Sequence, residues 1–133
     1  MPVVDASVWV AYYHPKDPGH EQCFAWVTAA LVDNERLIAP TLVLAEVAAA
    51  ITRLNQPEAA LEAVENLISS LRLELIPLDE ARARRAAEVA AATGVRGADS
   101  VYLALARDLA HPLITLDRQQ RDRGRAVAEV RAP

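Results

Sequence analysis

A chain of 133 residues with 53% hydrophobic content and a formal net charge of -4 is long enough for one folded domain with a buried core. Its composition excludes a disordered chain, and the acidic balance argues against a general coat for nucleic acid. A lone cysteine, Cys23, forbids an internal disulfide, and three scattered histidines give no zinc-ligand spacing. The longest apolar run, Leu37 to Ile51, is broken by Pro40, Thr41 and Glu46 and is too short to span a bilayer. Met1-Pro2-Val3-Val4-Asp5 lacks the basic region of a signal peptide, so a cytoplasmic protein without membrane association is expected.

In chain order, Val3-Val4 before Asp5 reads as a short buried strand and Ala6 to Tyr13 as a helix with Val8 and Trp9 turned inward; Pro15 and Pro18 close it. Gly19 to Val32 is a second helix with Phe24, Val27 and Leu31 at helical spacing, stopped by Asp33-Asn34. His14 and His20, flanking the loop between these helices, read as surface residues; Trp9, Trp26 and Tyr102 read as core. Leu37-Ile38-Ala39 is a strand that delivers the chain into Thr41 to Ile51. There Thr41 can cap the first turn and the helix is apolar on nearly every side, which predicts burial. Pro57 opens a helix whose Leu61, Val64, Leu67, Ile68 and Leu71 form one stripe, packed on its own core or on a partner chain.

Leu73 to Pro77 alternates as a strand. Asp79 caps a helix over Glu80 to Thr93, with Arg82, Arg84, Arg85 and Glu88 on its wet side and Gly94 as its stop. Asp99 to Ala106 begins acidic and continues apolar, as a helix. Pro112 to Leu116 is a strand ending at Asp117, Arg118 to Gly124 a short helix, and Ala126 to Val130 a last strand. Strands alternating with helices predict crossover connections and a five-stranded, mostly parallel sheet within a single α/β domain over 1–133. The carboxyl ends of its strands would then share one edge, where such folds bind ligands.

Asp5, Asp99, Asp117 and Glu46 should all reach that edge. Each aspartate has a bland explanation as a helix cap, and Asp117 with Gln120 three residues on fits a capping box. Glu46 caps nothing. It sits mid-helix among Leu42, Val43, Ala49 and Ala50, where an ionised carboxylate needs a cationic partner. Four gathered carboxylates raise one another's pKa, and a divalent cation relieves the conflict. Oxygen donors without thiols or paired histidines indicate Mg²⁺ or Mn²⁺, the architecture of phosphodiester hydrolysis. Ser7 and Thr115 can hydrogen-bond these carboxylates or serve only the local backbone. Thirteen arginines stand against one lysine, Lys16, and Arg118, Arg121, Arg123 and Arg125 crowd one segment that either contacts phosphate or is a solvated helix face.

Val3-Val4-Asp5-Ala6-Ser7, then Pro40-Thr41 through Glu46, Ala98-Asp99 heading an apolar helix, and Leu113-Ile114-Thr115-Leu116-Asp117 together resemble the PIN domain, and specifically the VapC toxins of toxin-antitoxin pairs. The likeness covers essentially the whole chain. It implies a three-layer α/β/α fold and a Mg²⁺- or Mn²⁺-dependent endoribonuclease, homodimeric and neutralised by a cognate VapB-like antitoxin. The acidic site it implies is Asp5, Glu46, Asp99 and Asp117, with Ser7 and Thr115 as accompanying hydroxyls. The family varies most at the fourth acidic position, where Asp122 is an alternative to Asp117. A receiver domain of a signalling pathway would need a lysine ending its last strand and an acidic pair after its first. A haloacid-dehalogenase-like phosphatase would need a second aspartate where Ser7 stands. A PIN fold used only as an interaction module would be more stable with Leu or Ala in place of Glu46.

Overall fold

The computed structural model describes all of residues 1–133. Strands β1 (Val3–Val4), β2 (Leu37–Pro40), β3 (Leu73–Ile76), β4 (Leu113–Ile114) and β5 (Val130–Arg131) form one sheet in the order β3-β2-β1-β4-β5, and every pairing is parallel. The helices are α1 (Ala6–Tyr13), α2 (His20–Val32), α3 (Leu42–Thr52), α4 (Pro57–Ser69), α5 (Glu80–Thr93), α6 (Gly97–Leu109) and α7 (Arg118–Gly124). The chain steps outward from β1 to β3, then returns across the sheet to β4 and β5. Right-handed crossovers therefore place α1 to α4 on one face and α5 to α7 on the other, giving three layers. The reversal lies between β1 and β4, and a crevice opens where adjacent strands send their connections to opposite faces. Asp5 N–H donates to the Ile114 carbonyl at 2.9 Å, so the ladder extends to the first acidic residue. No helix is long and apolar enough to cross a membrane.

The helices begin and end largely where local chemistry puts them. Asp5 accepts from Ser7 N–H, Asp79 from Arg82 N–H and Asp117 from Gln120 N–H, so three helices carry a carboxylate cap. Gly94 ends α5 at φ 71, a left-handed conformation that glycine adopts without strain.

Other expectations are corrected. Thr41 makes no cap bond; its Oγ1 accepts from Leu78 N–H at 3.3 Å and ties the start of α3 to the segment after β3. The last strand is Val130–Arg131, not 126–130, because Val127 and Ala128 N–H groups both turn back to the Gly124 carbonyl. Helix α6 starts two residues before Asp99, with Arg96 at its cap position, so Asp99 lies in the first turn and caps nothing. The helix α3 is not enclosed: Val43, Val47 and Ile51 form its buried seam, while Ala45 and Ala49 are exposed. Alanines read as apolar on every side, yet each methyl gives up little area when buried.

The stripe on α4 also fails as a core face. Of the stripe only Leu67 is buried and Val64 half-buried; Ala60 and Ala63 supply the rest of the buried face, since two alanines let α4 approach α3 closely, and Leu61, Ile68 and Leu71 are left 68%, 53% and 93% exposed. His14 and His20 are half-buried rather than on the surface, and His20 Nδ1 lies 2.7 Å from the Ala11 carbonyl. Trp9 and Tyr102 are core, and Trp26 is half-buried.

Candidate active site

A cavity of about 600 Å³ opens at the carboxyl edge of the sheet, and Asp5, Glu46, Asp99 and Asp117 all line it. Sequence-distant acids meet there because β1, β2 and β4 end side by side while α3 and α6 pass over those ends. Ser7 is also in the wall. Asp122, exposed on α7, is not.

Asp5 is the buried anchor, 5% exposed. Its Oδ2 accepts from Ser7 Oγ at 2.6 Å, Ser7 N–H at 3.2 Å and Thr115 Oγ1 at 3.0 Å, so both expected hydroxyls serve this one carboxylate. Oδ1 receives no hydrogen bond from the protein. Burial raises the Asp5 pKa, the Ser7 and Thr115 hydrogen bonds oppose the rise, and Asp99 adds to it.

No arginine or lysine side chain pairs directly with Glu46. Its Oε1 accepts from the hydroxyl of Tyr102 at 2.6 Å, and Oε2 has no protein donor. Burial again raises the pKa, against the Tyr102 hydrogen bond and with help from Asp5 and Asp99. Asp99, half-buried, is pushed up by burial and by Asp117, against the pull of Arg96. Asp5 and Asp117 double as caps. Asp99 caps nothing, but as a first-turn acid paired with Arg96 it favours α6; Glu46 performs no such local service, so its carboxylate is held in a partly desolvated wall for reasons that helix formation does not supply.

Three residues that join this network were missed by sequence reasoning, at least in the roles they take. Tyr102 was assigned to the core, and its ring is fully buried, but its hydroxyl fixes Glu46. Arg96 spans two acids, Nε to Asp99 Oδ2 at 3.2 Å and Nη2 to Asp117 Oδ2 at 3.0 Å. Gln120 is fully buried: Thr115 Oγ1 donates to its Oε1 at 2.9 Å, and its Nε2 donates to the Asp99 carbonyl at 3.3 Å. Its side chain thus bridges Thr115 and Asp99 rather than closing a capping box on Asp117. A signal existed: Arg96, Asp99 and Tyr102 recur every three residues, as do Asp117 and Gln120, which puts each set on one helical face.

The arginine-rich segment lies elsewhere. None of Arg118, Arg121, Arg123 and Arg125 lines the cavity. Arg121 Nη1 donates to the Thr115 carbonyl at 2.9 Å and Arg123 Nη1 to the Gly94 carbonyl at 2.7 Å, so these two brace α7 and the end of α5. The cations in the wall are Arg53 and Arg96.

For a metal ion the donor chemistry is mixed with spacing that is not closed. No three Asp, Glu, His or Cys side chains converge tightly enough to form a complete ligand set. Asp5, Glu46 and Asp99 nonetheless each have one oxygen fixed by the protein and the other unclaimed. Hard, pre-oriented oxygen donors with room for water suit a divalent cation that keeps part of its hydration shell.

Residues 3–126 match the PIN domain family. Curated protein sequences give no significant match. Among solved structures the chain is similar to the sarcin-ricin loop cleaving toxin VapC20 of Mycobacterium tuberculosis, at 17% identity over 95% of each chain with a TM-score of 0.78. It is similar also to a chain of DNA-bound VapBC from Salmonella typhimurium, at 19% identity over 99% of this chain and 98% of that one, TM-score 0.71. FitAcB from Neisseria gonorrhoeae gives 18% identity over 98% and 96%, TM-score 0.71. Parallel strand order, the acid-lined edge and the family match over nearly the whole length agree, and the chain belongs to the PIN domain family.

Proposed function

We propose that this protein is a Mg²⁺- or Mn²⁺-dependent endoribonuclease, the toxin of a toxin-antitoxin pair. The observation that carries the reading is the meeting of Asp5, Glu46, Asp99 and Asp117 in one cavity, with Glu46 and Asp99 held there without a capping role. Asp5, Asp99 and Asp117 would hold the cation. When bound, such an ion polarises the phosphoryl oxygen and makes a water acidic enough to yield its proton near neutral pH.

The chain's own groups supply the rest. Ser7 and Thr115 lock Asp5 through Oδ2 and leave Oδ1 without a protein donor. Tyr102 fixes one oxygen of Glu46, and the raised pKa of this carboxyl suits it to take the proton of the attacking water at Oε2. Neither a serine nor a cysteine nucleophile is required. RNA as substrate is supported by the likeness to a sarcin-ricin loop cleaving toxin.

An antitoxin partner and a homodimeric toxin are part of the same proposal. Support comes from the complexes in which similar folds occur and from a groove of about 310 Å³ lined by Trp9, Tyr12, Tyr13, Val27, Leu31 and Leu67. Trp9 Nε1 is buried there without a hydrogen-bond partner. Leu61, Ile68 and Leu71 add exposed apolar surface on and just past α4.

Asp5→Asn and Glu46→Gln are expected to keep native circular dichroism while losing RNA cleavage in Mn²⁺, and Asp5→Asn to lose Mn²⁺ binding by calorimetry. Unchanged cleavage in both variants would remove this site from the reaction.

A further inference from the structure

Arg96 lines the cavity from the residue before α6, and its side chain is 76% exposed. It makes no cap bond and bridges Asp99 and Asp117 instead. Arg53, the other cation in the wall, has no carboxylate partner. The free protein thus places a guanidinium across two of the acids proposed above to hold a divalent ion. We propose that Arg96 is the phosphate-binding residue of the cavity, stored on Asp99 and Asp117 and released to the RNA backbone when a cation takes those carboxylates. This inference rests on the ribonuclease reading and adds to it the residue that grips the substrate.

Three physical points carry it. Ion pairs open to solvent are weak, so the fork exchanges readily and no buried hydrogen bond is broken on release. With a divalent ion held by Asp99 and Asp117, the negative charge that retains Arg96 would be neutralised and its guanidinium repelled. The freed guanidinium remains tethered at the cavity, with a planar array of donors that matches two oxygens of one phosphate. Arg121 and Arg123 cannot compete for this role without giving up the carbonyls of Thr115 and Gly94. Arg53 offers a second, uncommitted charge in the same wall for an adjoining phosphate.

The test pairs metal titration with substrate kinetics in Arg96→Gln, using Arg84→Gln as a control because Arg84 is equally exposed and pairs only with Glu80 on α5. Calorimetric titration with Mn²⁺ should show about three- to tenfold tighter binding by Arg96→Gln, the effect of removing a weak internal competitor. With a short single-stranded oligoribonucleotide in saturating Mn²⁺, the same variant should raise KM about tenfold with kcat little changed, and should lower the salt slope of KM by roughly 0.7, one phosphate contact. Arg84→Gln should move none of these. Mn²⁺ affinity that is unchanged or weaker in Arg96→Gln, or an unaltered KM, overturns the assignment, as does a KM defect found in Arg118→Gln but not in Arg96→Gln. Wild-type protein that binds no Mn²⁺ overturns the reading of the acidic centre and this inference with it.

Discussion

Replacing Gln120 with Leu isolates the polar bridge behind the acidic cavity. The side chain is fully buried, and Leu has nearly its volume, so no large cavity is created. The bond from Gln120 N–H to Asp117 Oδ1 at 3.0 Å belongs to the backbone and survives, leaving the α7 cap intact. Lost are the Thr115 Oγ1 bond at 2.9 Å and the bond to the Asp99 carbonyl at 3.3 Å. Neither partner is stranded. Thr115 can give its one proton wholly to Asp5 Oδ2 at 3.0 Å, and the Asp99 carbonyl keeps the acceptor role of a first-turn helix residue. The cost should therefore fall near the lower end for buried hydrogen bonds, about 1–2 kcal/mol, or a drop of roughly 4–8 °C in Tm for a chain of this size. Gln120→Glu keeps the shape but buries a carboxylate beside Thr115 and the Asp99 carbonyl, and should cost more than about 3 kcal/mol at neutral pH. Thermal and urea melts in EDTA measure both. A Gln120→Leu protein as stable as wild type, or a Gln120→Glu protein no worse than Gln120→Leu, would refute the bridge.

Without added cation, stability should depend on pH through Asp5, Glu46 and Asp99, whose folded pKa values all lie above the ordinary carboxylate value. Such groups stabilise the fold fully below their unfolded pKa and lose that contribution as pH rises through the raised folded values, so Tm in EDTA should climb as pH is lowered from neutrality toward the carboxylate range. Asp99→Asn should raise Tm in neutral EDTA and flatten this dependence; a lower Tm would contradict the repulsion it is meant to relieve. Tyr102→Phe keeps the buried ring but strips Glu46 of its donor, costing about 1–2 kcal/mol and raising the Glu46 pKa further, which a shifted acidic limb in the pH profile of RNA cleavage would register. Gly124→Ala would set a methyl 2.5 Å from Leu103 Cδ2 and 3.2 Å from Val130 Cγ2, and because Leu103 is fully buried the overpacking should cost about 1–3 kcal/mol by chemical denaturation.

Much of the frame was written locally. The bounds of α1, α5 and α7, the caps Asp5, Asp79 and Asp117, and the stop at Gly94 follow from short-range chemistry that any few consecutive residues display. Alternation of strands and helices sufficed for a parallel sheet, whose strands by being parallel all end at one edge, and handedness then divided the helices between its two faces. The errors are equally physical. Periodicity on α4 marks an apolar stripe without saying whether anything covers it, and small alanines on the neighbouring side won the contact. The same limit misjudged α3, whose exposed alanines look out from the cavity wall.

From sequence alone came the expectation that four acids and two hydroxyls share one edge, because strand ends and first helical turns are local events and Glu46 stands out as a charge within an apolar helix. Only the tertiary structure decided which groups answer those acids. Tyr102 lies 56 positions from Glu46, Gln120 lies 21 from Asp99, and Arg96 rather than the Arg118–Arg125 segment reaches Asp117. Hydrogen-bond partners across such separations are chosen by how helices sit on the sheet, a property of packing that no stretch of chain contains.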